Sequence, residues 1–172
     1  GAKRGMSGEA VNFFRAKLIQ ALKPTEQLVV GLTSPAEFSD KVGLASLLAE
    51  SLARSGHRVL VLDADLGRRG PGIGYDYRSP SGPGLEAYLR EPGLPLKTST
   101  IRVDQYLSFE ALASSGPIRQ ANELLEFGFR RFVERLSAEF DAVIVDLPPV
   151  LKYADALVAA PACSGVVLCT AG

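Results

Sequence analysis

The chain has no excess charge of either sign: lysine plus arginine number 19 and aspartate plus glutamate number 19. Nothing in that balance directs it to nucleic acid or to an acidic membrane surface, so partners have to be argued from local sites. Cysteine is scarce. Cys163 and Cys169 have neither the paired spacing of a zinc site nor the density of a disulfide framework, and they read as small core residues in a reducing compartment. No apolar run approaches the roughly 20 residues of a membrane-spanning helix, and the start has no leader pattern, so the chain reads as soluble. Internal repeats and low-complexity tails are absent as well. What is present is a chain of 172 residues, 47% hydrophobic, enough for one buried core and too short for two ordinary domains. Residues 1–172 therefore read as one domain, with an amino-terminal helical segment over 1–25. Gly1 at the start and an apolar run just before Gly172 mark it as a piece excised from a longer protein.

Runs of β-branched and aliphatic residues at Leu28–Leu32, Arg58–Leu62, Ala142–Val145 and Ser164–Cys169 read as buried strands. Between and before them, apolar residues recur at three- and four-residue steps over Glu9–Leu22, Val42–Arg54 and Asn122–Phe140, which is helical periodicity. Gly56 follows the second helix where a left-handed cap is wanted. The alternation predicts an α/β fold, a mainly parallel doubly wound sheet covered on both faces. The glycine- and proline-rich stretch from Gly67 to Pro95 reads as a loop excursion enclosing a short helix at Leu85–Arg90.

Ligands of parallel sheets collect beyond the carboxyl ends of the strands. The first run is followed by TSPAEFSDK, ending at Lys41. The second is followed by Asp63, Ala64 and Asp65, and the third by Asp146, Leu147, Pro148 and Pro149. A strand, a loop ending in lysine and a long helix form the frame of a phosphate-binding loop, and two later strands ending in aspartate supply what a magnesium ion needs.

The order of these pieces resembles the bacterial tyrosine kinases of capsule and exopolysaccharide synthesis, within the deviant-Walker P-loop ATPases that include the MinD and ParA proteins. The counterparts run along nearly the whole chain: TSPAEFSDKV, LLA at Leu47–Ala49, GHRVLVLDADLGRR from Gly56, GLEAYL from Gly84, ANELL from Ala121, FDAVIVDLPPV from Phe140, and Asp155-Ala156. The resemblance implies a P-loop fold. It also assigns catalytic roles to Asp63 and Asp65, magnesium to Asp63 and Asp146, and the phosphate loop to Ser39, Asp40, Lys41 and Val42.

That loop departs from the family pattern. Anchored on Lys41, the family's glycines fall on Phe38 and Asp40, and its serine or threonine falls on Val42. Glycine serves there because successive N–H groups must point at the phosphates in conformations a side chain disfavours. Phe38 would add a ring, and Asp40 a negative charge about 4 Å from an anion, a repulsion of roughly 1 to 4 kcal/mol. Val42 lacks the hydroxyl that binds magnesium.

Each residue also has a plainer reading. Lys41, next to Asp40 at a helix start, reads as a solvated lysine ahead of a phosphate clamp. Asp63 and Asp65 are either functional or relics of the frame, and Asp146 is either a carboxylate acting on magnesium through water or a turn acceptor. Arg68 and Arg69 read as a solvated pair, His57 as a surface turn residue, and Tyr75, Tyr77, Tyr88, Tyr106 and Tyr153 as packing or loop residues. EAVNFFRAKL at Glu9–Leu18 is similar to the segment through which these kinases form rings. Packing within the monomer would account for Phe13, Phe14 and Leu18, whereas Glu9 and Arg15 are assigned to self-association.

The resulting expectation is a catalytically degenerate tyrosine-kinase-like domain, a scaffold or regulator in exopolysaccharide or capsule assembly and export. It needs no cofactor, and its partner is a membrane-embedded polysaccharide chain-length regulator, co-polymerase or export protein at the cytoplasmic face of the bacterial inner membrane. The alternative is an active, divergent ATP-dependent tyrosine kinase or ATPase using ATP and magnesium. A positioning ATPase would need a second lysine early in the loop, and Ser34–Ser39 has none.

Overall fold

The computed structural model describes residues 7–23, 27–36, 41–67, 82–151 and 154–170. The three strongest apolar runs become strands β1 (Leu28–Thr33), β2 (Val59–Asp63) and β5 (Ala142–Asp146), buried at every position. Both faces of these strands are covered. Val29, Leu60, Leu62, Val143 and Val145 enter one apolar cluster, and Leu28, Val30, Leu32, Val59, Val61, Ala142 and Ile144 enter the other. Side chains alternate across a strand, so a run that is apolar at every position requires helices on both sides.

The helices supply that cover. α1 (Gly8–Leu22) and α2 (Lys41–Arg54) pack on one face. α3 (Leu85–Arg90), α4 (Ala121–Leu136) and α5 (Asp155–Ala159) pack on the other. α1 opens with Ser7, whose hydroxyl accepts from the Ala10 amide, a normal N-cap. α2 ends as expected at Gly56, with φ of 92° and the amide of His57 bonded back to the Leu52 carbonyl. α4 buries Ala121, Leu125, Gly128, Phe129, Phe132, Val133 and Leu136 along one stripe. It stops at Leu136 rather than reaching Phe140, because Ser137, Ala138 and Glu139 close successive turns on Glu134, Arg135 and Leu136.

Two strands escape the sequence reading. β3 (Ser99–Arg102) and β4 (Ser108–Leu112) are short, partly polar elements. Antiparallel pairing sets Thr100 opposite Glu110, and the Thr98 and Thr100 hydroxyls donate to the Glu110 carboxylate. With β6 (Gly165–Leu168), the sheet among the described residues has six strands in the order β3-β4-β2-β5-β1-β6, parallel except for β3. The carboxyl ends of β1, β2, β4 and β5 therefore open at the same rim. Among the described residues no helix is long and apolar enough to cross a membrane.

Candidate functional site

The rim brings the predicted acidic residues together. Parallel pairing of β2 with β5 sets Asp63 directly opposite Asp146, and Asp65 follows two residues beyond the strand. All three are buried: Asp63 is 4% exposed, Asp65 3% and Asp146 0%. Such burial of carboxylates demands partners. Asp63 Oδ1 accepts from the Asp65 amide at 3.0 Å, an Asx-type turn. Asp63 Oδ2 accepts from the Ser114 hydroxyl at 3.4 Å.

Lys41 corrects the plainer reading of it as a solvated residue. It is the first residue of α2 and only 2% exposed. Its Nζ lies 3.1 Å from Asp146 Oδ1 and donates to the Leu147 carbonyl. The buried cation is thus neutralised by a buried anion and bonded to a carbonyl, the combination that makes burial of two charges tolerable. Asp146 is an ion-pair partner of Lys41 here, a role that neither sequence reading of it named.

The segment after Asp146 is tied to the mouth of the loop. Thr33 Oγ1 donates to the Pro148 carbonyl at 2.7 Å. The amides of Val150 and Leu151 donate to the Ser34 and Pro35 carbonyls, and Ser34 Oγ donates to the Ala36 carbonyl at 2.6 Å. Thr33, Ser114 and the Leu147 carbonyl join the site without having been singled out. Thr33 lay within the quoted motif, whereas Ser114 follows a strand whose sequence does not announce it. Ser39 and Asp40, the Phe38 beside them, Arg68, Arg69, Tyr75, Tyr77 and Tyr153 lie outside the described residues, as does the side chain of Val42.

Two carboxylates side by side could receive a cation, and a lysine at a helix start could meet a phosphate. The fit to magnesium-bound ATP is incomplete on this chain's own residues. Lys41 is already committed to Asp146 and Leu147, and the position of the magnesium-binding hydroxyl is Val42. Among the described residues no three histidine, cysteine or acidic side chains gather as a metal cluster.

Other expectations resolve away from the rim. Arg15 serves the monomer: its guanidinium donates to the Ser51 carbonyl at 2.9 Å and to the Ser51 hydroxyl at 3.0 Å, and that hydroxyl donates to Asn12 Oδ1 at 2.6 Å. Glu9 is exposed. Phe14 and Leu18 pack against the core as expected, but Phe13 is 66% exposed, with the Lys17 ammonium over its ring, so packing within the chain does not account for it. His57 lies in the turn after α2, its Nδ1 within 3.2 Å of the Ser55 hydroxyl and of the Leu52 carbonyl. Cys169 is buried and Cys163 partly so. Burial pushes the Cys163 thiol up to about 12, which keeps it protonated and unreactive.

No family model matches the chain. The chain is 30% identical over 151 residues to the tyrosine-protein kinase ptk of Acinetobacter johnsonii, covering 87% of this chain and 20% of that protein. It is 32% identical over 164 residues to the succinoglycan biosynthesis transport protein ExoP of Rhizobium meliloti, covering 91% of this chain and 20% of that protein. The chain thus spans about a fifth of the length of these relatives. Among solved structures, the kinase domain of the Escherichia coli tyrosine kinase ETK superposes with a TM-score of 0.79 at 30% identity, over 94% of this chain and 62% of that one. Cobyrinic acid a,c-diamide synthase from Mycobacterium smegmatis, solved with an ATP analogue and magnesium, shares the fold with a TM-score of 0.63 at 21% identity, over 83% of this chain and 59% of that one. With the aspartate-ended strands and the lysine-headed helix at one rim, these likenesses identify the chain as a homologue of the bacterial tyrosine kinases, carrying the P-loop NTPase fold of their kinase domains.

Proposed function

We propose that the chain is a catalytically degenerate tyrosine-kinase-like domain acting as a scaffold or regulator in exopolysaccharide or capsule assembly and export. The observation that carries this reading is the state of Lys41. The one lysine of the loop frame is drawn under the surface and neutralised by Asp146, while the loop before it, PAEFSD, contains no glycine. A triphosphate entering the site would have to compete with a buried carboxylate for that cation. It would also find no glycine at the positions where amides turn toward an anion. The partner class is a membrane-embedded polysaccharide chain-length regulator, co-polymerase or export protein, which would hold the domain at the cytoplasmic face of the inner membrane. The relatives' names, which include a succinoglycan biosynthesis transport protein, support that direction. Glu9 and Phe13, both exposed on α1, are offered as self-association residues.

Isothermal calorimetry with ATP and magnesium tests the proposal. No heat of binding is expected at micromolar ligand; micromolar affinity lost on Lys41→Ala would overturn it. The second reading, an active divergent kinase or ATPase, draws support from the retained Asp63, Asp65 and Asp146 at one rim. It predicts ATP turnover that Asp63→Asn abolishes.

A further inference from the structure

Of the five tyrosines, Tyr88 and Tyr106 fall among the described residues, and they have opposite fates. Tyr88 is 1% exposed. Its ring stacks on Phe132 at 5.5 Å, and its hydroxyl accepts from the Lys97 amide at 2.9 Å. Tyr106 is 89% exposed. It gives up the burial by which an aromatic side chain ordinarily stabilises a fold, yet the backbone beneath it is well tied. Asp104 Oδ1 accepts from the Tyr106 amide at 2.7 Å and from the Leu107 amide at 2.9 Å. The amides of Val103 and Asp104 both donate to the Leu107 carbonyl. The phenol is thus displayed from an anchored turn at the tip of the β3–β4 hairpin, within reach of another protein's cleft.

We propose that Tyr106 is a phosphorylation site, modified in trans by an active bacterial tyrosine kinase of the kind this chain resembles. Geometry sets the direction of transfer. β4 runs parallel to β2, so its amino end and the β3–β4 turn lie at the opposite end of the sheet from Asp63 and Asp146. At about 3.3 Å per residue, the run from Ser108 to Ser114 separates the turn from the rim by on the order of 20 Å. The molecule's own rim therefore cannot reach its own Tyr106. In the reaction the phenolic oxygen attacks the γ-phosphorus of magnesium-bound ATP held by the kinase, and the bond from that phosphorus to the β–γ bridging oxygen breaks. ADP leaves, and the phenolic proton passes to the kinase's general base. The new charge would stand two residues from Asp104, whose Oδ2 lies 3.7 Å from an Arg54 guanidinium nitrogen. A phosphate there repels Asp104 and competes for Arg54 at the end of α2, giving a partner a newly anionic hairpin to read.

The inference does not depend on whether this chain binds ATP, and the experiment keeps the two questions apart. The chain is incubated with ATP and magnesium, alone and with the Escherichia coli ETK kinase domain, and phosphate is mapped by peptide mass spectrometry. With ETK, one phosphoryl group on the peptide containing Tyr106 is expected. Tyr106→Phe should lose most of the incorporated phosphate while keeping the parent's circular dichroism and unfolding midpoint. Phosphate on Tyr106 without ETK would support the acceptor site and overturn the degenerate-domain reading. Absence of phosphate with ETK, phosphate confined to Tyr75, Tyr77, Tyr88 or Tyr153, or undiminished incorporation in Tyr106→Phe would each overturn the proposal.

Discussion

Lys41 and Asp146 hold one another in a place that water scarcely reaches, 2% and 0% exposed. A charge in such a place is stable only while its counter-charge remains. Lys41→Ala leaves Asp146 buried without its cation and is expected to destabilise the fold by about 3–5 kcal/mol. Urea unfolding reads this as a lower midpoint with little change in slope. The double variant Lys41→Met with Asp146→Leu removes both charges and keeps most of the packing volume, so it should lose much less than Lys41→Ala alone. A double variant as unstable as Lys41→Ala would mean that the pair contributes packing or backbone contacts rather than mutual neutralisation.

At the scale of elements, α1 is held onto α2 by a polar contact as well as an apolar one. Phe14, Leu18, Ile19 and Leu22 pack on the cluster beneath, while Ser51, 4% exposed, receives Arg15 and bonds Asn12. Ser51→Ala removes the hydroxyl that joins both α1 side chains and leaves Arg15 a single carbonyl partner. The expected cost is about 1–2 kcal/mol, with faster amide exchange concentrated in α1 rather than in the sheet. Uniform acceleration over all elements would show that α1 unfolds only with the whole domain. Arg15 thus acts between two helices of one chain.

For the molecule as a whole, the sheet has unequal edges. β3 closes one edge as a short antiparallel strand with a Thr–Glu ladder. Among the described residues β6 forms the other, with Val166 44% and Leu168 55% exposed. An apolar strand at an open edge invites pairing with another chain, and lysine is the usual remedy. Val166→Lys with Leu168→Lys should change stability by no more than about 1 kcal/mol, two surface substitutions of about 0.5 each. The pair should also lower the concentration-dependent light scattering of the chain. Unchanged scattering would place any association elsewhere, with α1 as the next surface to test.

How much could be read without the fold follows from the range of the interactions involved. β1, β2 and β5 were legible because strands buried on both faces must be apolar at every position, a property each segment carries alone. α2 and its end at Gly56 were legible for the same local reason, a periodic stripe and a left-handed cap. β3 and β4 were not: four- and five-residue strands with Ser, Thr, Arg and Glu acquire their identity only by pairing. The site divides along the same line. Sequence order alone placed Asp63, Asp65 and Asp146 after strands and Lys41 before a helix, and it exposed the absence of glycine in the loop that leads to Lys41. The tertiary structure alone decided what Lys41 does. Its acceptor at Leu147 is 106 residues away, and whether an ammonium is solvated or buried depends on an anion delivered by another strand, which no local pattern around Lys41 encodes.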